Sequence, residues 1–112
     1  MHANPFGGMI EDLSVEEVKA GLEAGTILLV DVREPNELAA ERIPGAVEFP
    51  LSTFDANALP NPGTKTLVFS CRSGQRSQKA AAAAQAAGID RHHHMAGGIL
   101  AWKAAGFDTE QG

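Results

Sequence analysis

The chain has 112 residues, 44% of them hydrophobic and 21% charged, with only 5% aromatic, so an aliphatic core of one ordinary globular domain is expected. A net charge of -5 and nine scattered Lys and Arg give no basic patch for nucleic acid. The N-terminus lacks a basic segment followed by an apolar stretch, and no apolar run approaches the about 20 residues of a membrane span. One cysteine forms no internal disulfide and fits a reducing compartment, so a cytoplasmic location is expected.

Residues 1–12 read as an N-terminal extension. Ser14–Gly25 reads as a helix, because Ser14 and Glu17 have capping-box spacing, Val15, Val18 and Leu22 share a face, and Gly25 suits the C-terminal stop. Thr26–Val32 is a continuous β-favouring run and reads as a buried strand. Arg33–Ile43 contains a short helix from Pro35 or Asn36, with Glu34, Glu37 and Glu41 on a solvated face. Pro44–Pro50 turns into a short strand, and Leu51–Thr64 is a short helix or irregular segment. Lys65–Ser70 is a second apolar strand. Gln75–Gly88 is a helix on alanine propensity, and its small side chains let it lie close to a sheet. Arg91–Met95 reads as a strand, with His92 and His94 on one face and His93 on the other, as a polar strand end near the surface. No metal ligand set is expected from two histidines sharing a face. The stretch from Gly97 to Phe107 is a short helix bounded by glycines, with Trp102 as a core anchor.

Strands alternating with helices imply an α/β fold with a mainly parallel sheet flanked by helices. Ligands then sit beyond the carboxyl ends of the strands. Cys71 follows one such end, and Asp31 and Arg33 lie at another. Cys71 opens a polar loop, Cys71–Arg76, that leads into a helix. The helix N-terminus, Arg72, Arg76 and the turn at Gly74 all favour a thiolate within a cup of backbone N–H groups. Asp31 and Arg33 are assigned a supporting ion pair rather than a reacting role.

Three segments carry a resemblance. "CRSGQR" resembles the active-site loop of single-domain rhodaneses, "DVREPNELAAERIPGAVEFP" their upstream motif, and "GGILAWKAAGF" their C-terminal motif, together over about residues 13–107. The resemblance implies a rhodanese-like three-layer domain and a thiosulfate sulfurtransferase without cofactor. In it Cys71 becomes a persulfide, the backbone N–H groups of Arg72, Ser73, Gly74, Gln75, Arg76 and Ser77 cradle the sulfur, and Arg72 and Arg76 bind a small anionic donor. The acceptor would be cyanide or a thiol, on a small molecule or a thioredoxin-like or other protein. The chain departs from the family in carrying Arg42 where histidine commonly precedes I-P-G-A.

Four other readings compete, the first a sulfur relay whose acceptor is another protein, which shares the persulfide step and differs only in the second half-reaction. Cysteine phosphatases and arsenate-type enzymes share the thiolate cup, but their signature has one residue more between cysteine and arginine than the four here. A docking module would not need the cysteine and both arginines. A redox switch often has a resolving cysteine, and here any disulfide would be intermolecular.

Overall fold

The computed structural model describes residues 1–111. Strands β1 (His2–Ala3), β2 (Met9–Leu13), β3 (Ile27–Asp31), β4 (Val47–Glu48), β5 (Thr66–Ser70) and β6 (His93–Met95) alternate with helices α1 (Val15–Ala24), α2 (Pro35–Ala40), α3 (Gln75–Ala86) and α4 (Gly98–Ala104). They form one six-stranded sheet in the order β1-β2-β6-β5-β3-β4. Every pairing is parallel except β1 with β2.

The helices form where the local chemistry asks for them. Ser14 caps α1 through the Glu17 amide while Glu17 returns a bond to the Ser14 amide, and Gly25 takes the left-handed conformation that stops it. Pro35 occupies the first turn of α2, where its missing N–H costs nothing. Leu51–Thr64, left open between helix and irregular chain, supplies two 3-10 turns at Leu51–Thr53 and Ala56–Ala58.

The core has two halves, one on each side of the sheet. Ile10, Val30, Val32, Phe69 and Cys71 pack against Ala80, Ala81 and Ala84 of α3. Leu29, Val68 and Met95 pack against Val15 and Val18 of α1 and Ile99 and Trp102 of α4. Alanines on α3 bring its backbone close to β5 and β6, which sets the distance between the helix start and the end of β5.

The segment before Ser14 is integral to the sheet. β2 adds a strand beside β6, and β1 hangs on β2 as an antiparallel edge. The last residues are tied back as well. Arg42 and Glu110 exchange backbone hydrogen bonds of 2.8 Å, and the Trp102 indole donates to the Asp108 carbonyl. Among the described residues, no helix is long and apolar enough to cross a membrane.

Candidate active site

Cys71 is the first residue after β5 and is fully buried. Gly74 closes the loop with φ 105°, a left-handed conformation that turns its N–H back toward the sulfur at 3.1 Å from Sγ. α3 begins at Gln75, so its positive end faces the same sulfur. Ser77, in the first turn, places Oγ 3.6 Å from Sγ. The loop is held from behind by α4: the Ile99 N–H donates to the Cys71 carbonyl at 2.9 Å and the Leu100 N–H to the Arg72 carbonyl at 3.1 Å. Gly98 makes that approach possible, because a Cβ there would lie 2.5 Å from both carbonyl oxygens. The C-terminal glycine pair is therefore a clamp on the cysteine loop.

Along the stretch whose backbone N–H groups are expected to cradle the sulfur, Arg72 through Ser77, the Gly74 N–H and the Ser77 hydroxyl lie against Sγ. Arg72, Ser73 and Gln75 are exposed residues at the rim. Arg76, expected to bind an anionic donor, is engaged elsewhere. Its two terminal nitrogens donate to Glu37 of α2 at 2.6 and 2.9 Å. The guanidinium holds the Glu37 carboxyl down from 4.5 to about 2, and Glu37 in turn raises Arg76. Arg72 forms no ion pair among the described residues, which leaves its charge available at the rim.

Asp31 and Arg33 form the supporting pair. Arg33 donates to both carboxylate oxygens and to the Glu41 carbonyl, with both side chains buried. The solvated acidic face expected on α2 is absent. Glu37 binds Arg76, Glu41 binds Lys103 and Thr109, and Glu34 accepts from Ser52. Beside the loop, between α2 and α4, lies a depression of about 270 Å³ bordered by Arg72, Lys103 and the Glu37 and Glu41 side chains.

The histidine strand divides in two. His93 and His94 point to opposite faces of β6, as alternation requires, but His92 turns to stack on His93 at 4.4 Å. His93 also meets Glu11 at 2.8 Å, and burial together with the neighbouring imidazole lowers its basicity. The ligand atoms of Glu11, His92 and His93 lie within 4.8 Å of one another, a convergence not expected from two histidines sharing a face, while His92 Nδ1 also meets Asp90 at 2.9 Å. His94 is not at the surface: it is 3% exposed, with Nδ1 2.8 Å from Ser77 Oγ and Nε2 2.6 Å from Asp12 Oδ1. Sequence reasoning passed over His94, Asp12 and Glu37 as site residues. The available signal was His94 itself, four residues before the clamp glycine Gly98.

Comparison with known proteins places the fold. A model of the rhodanese-like domain matches residues 14–105. The chain belongs to the rhodanese-like family. A sulfurtransferase of Allochromatium vinosum is 34% identical over 84% of this chain and 89% of its own. An uncharacterised protein of Synechocystis is 43% identical over 74% of this chain, which spans only 46% of that relative. A solved structure from Rhodopseudomonas palustris, described as a possible tyrosine phosphatase, is 30% identical with a TM-score of 0.75, covering 90% of this chain and 85% of its own. The fold is thus the rhodanese α/β fold, and the homologues include sulfurtransferases.

Proposed function

We propose that this rhodanese-like protein is a thiosulfate-type sulfurtransferase acting through a Cys71 persulfide. The observation that carries the reading is the placement of Sγ: at the start of α3, under the Gly74 N–H, with one permanent cation left free at the rim. The Cys71 thiolate attacks the outer sulfur of thiosulfate. The sulfur–sulfur bond breaks and sulfite departs with its electron pair. Cyanide or an acceptor thiolate then takes the terminal sulfur, and the thiolate returns.

Arg72 attracts the anionic donor, Gly74 and Ser77 hold the sulfur, and Asp31 with Arg33 fixes the neighbouring strand end. No organic cofactor or metal takes part. Residues 1–112 act as one domain, in the cytoplasm, and the acceptor is a small thiol, cyanide or a thioredoxin-like or other protein. The short Cys71–Arg76 loop favours a single sulfur atom over a tetrahedral phosphate.

Steady-state kinetics test this. Parallel double-reciprocal lines for thiosulfate and cyanide are expected, with no turnover of an aryl phosphate. Intersecting lines, or phosphatase activity at comparable rate, would overturn it.

A further inference from the structure

A chain of hydrogen-bonding groups runs from the sulfur to the surface on the side of the sheet that carries α3. Ser77 Oγ lies 3.6 Å from Cys71 Sγ and 2.8 Å from His94 Nδ1; the Gly74 carbonyl, 3.1 Å away, is a second acceptor within reach of its one proton, but that carbonyl already accepts from Gln78 Nε2 at 2.8 Å. His94 Nε2 lies 2.6 Å from Asp12 Oδ1, and Asp12 Oδ2 lies 3.0 Å from His2 Nε2. Ser77 and His94 are buried, whereas the Asp12 side chain is 49% exposed. Three strands and a helix contribute: β1 and β2 from the N-terminal segment, β6, and α3.

We propose that His94, oriented by Asp12, is the proton store for Cys71 and acts through Ser77. The geometry sets the tautomer. The Asp12 carboxylate requires a proton on Nε2, so Nδ1 presents a lone pair to the Ser77 hydroxyl. Ser77 Oγ is then free to accept from the Cys71 thiol. In the transfer, the Cys71 S–H bond breaks and its proton passes to Ser77 Oγ while the Ser77 proton passes to Nδ1. A thiolate, an imidazolium and the Asp12 carboxylate result, with no change of oxidation state. The Ser77 hydroxyl, now accepting from Nδ1–H, turns its proton toward the thiolate.

Charged groups border this chain on several sides. The Asp12 carboxylate faces His94 from β2, with its basicity lowered by hydrogen bonds from both His94 and His2 against the opposing effect of its burial. Arg76 adds positive charge near the sulfur, moderated by Glu37. His93 faces away from the chain, on the other side of β6, against Glu11. Without His94, Ser77 has no base to which it can pass the thiol proton. The arrangement also gives the N-terminal strands a purpose, since they bring the carboxylate.

The role rests on Cys71 being the reacting nucleophile, but its test needs no sulfur donor. The chain has one cysteine and no tyrosine, so the ultraviolet difference between wild type and Cys71→Ser reports the thiolate without interference from phenolate. His94→Gln is expected to move the appearance of the thiolate to higher pH. Each pH unit by which the midpoint rises leaves about tenfold less thiolate at any pH well below it. Asp12→Asn, at a half-exposed position and with its folding checked by circular dichroism, is expected to move it in the same direction by less. In wild type, the His94 imidazole titration followed by NMR is expected to change when Cys71 becomes Ser. Thiolate curves that coincide for wild type and Asp12→Asn, together with a His94 titration indifferent to Cys71→Ser, would overturn the proposal even if His94→Gln failed to fold. Sulfur loading from thiosulfate at high pH, still complete in His94→Gln, would show that a failed relay leaves the sulfurtransferase reading standing.

Discussion

The two sides of Cys71 are built from different materials. Above the sulfur, toward α2 and α4, the chain is fixed by ion pairs: Asp31 with Arg33, Glu37 with Arg76, Glu41 with Lys103. Beneath it, toward β6 and β2, it rests on Ser77 and His94, which a hydrogen-bonded chain joins to the sulfur and to Asp12. Fixed charges set the shape of the loop and the field at its rim, whereas the proposed relay beneath lets a proton move when the sulfur changes its charge. A residue's contribution should therefore depend on its side: removal above the sulfur shows as lost stability or donor affinity, removal beneath it as an altered pH profile.

The largest effect is expected at the buried pair. Asp31→Ala leaves the Arg33 guanidinium without its carboxylate at a site where both side chains are covered, which costs about 3–5 kcal/mol in denaturant unfolding. A loss under about 1 kcal/mol would mean that this pair does not hold the strand end. Gly98→Ala follows, at about 3 kcal/mol, because its Cβ meets the Cys71 and Arg72 carbonyls and its φ of 59° suits glycine. Chemical denaturation reads it, and a neutral result would remove α4 as the clamp.

The Glu37–Arg76 pair is half-buried and smaller in effect. The Glu37 carboxyl is depressed from 4.5 to about 2, so its contribution is complete above pH 4.5 and fades as pH falls toward 2. Glu37→Gln should lower stability at neutral pH by about 1–2 kcal/mol and flatten this part of the acid-unfolding curve. An unchanged curve between those limits would remove the pair from the account. Arg72→Ala is expected to leave the melting temperature unchanged and to raise the thiosulfate KM severalfold, the result of losing one rim charge. An equal rise on Arg76→Ala, with no loss of stability, would return Arg76 to the donor site and blur the distinction between the two arginines.

Much of the scaffold was legible because its signals are local. Capping at Ser14, the apolar runs of β3 and β5 and the alanine face of α3 each act within a few neighbouring residues. The cysteine loop was legible for the same reason: thiol, turn glycine and helix start are contiguous. β2 was not, since Met9 is exposed, Ile10 is its one fully buried residue and two acids follow. Its place is decided by pairing with β6, where Asp12 lies in register with His94 although 82 positions separate them. Only the folded sheet displays that pairing. Glu37 was read as solvated because its partner lies on another helix. Three consecutive histidines have the same hydropathy, so their alternation could be read but not which face is buried.

The central claim is that the buried thiol carries sulfur, and intact mass tests it most directly. After incubation with thiosulfate the protein is expected to gain one sulfur atom, which cyanide then removes as thiocyanate, while Cys71→Ser gains nothing and stays folded. A mass gain that cyanide does not release, or the same gain in Cys71→Ser, would contradict the account.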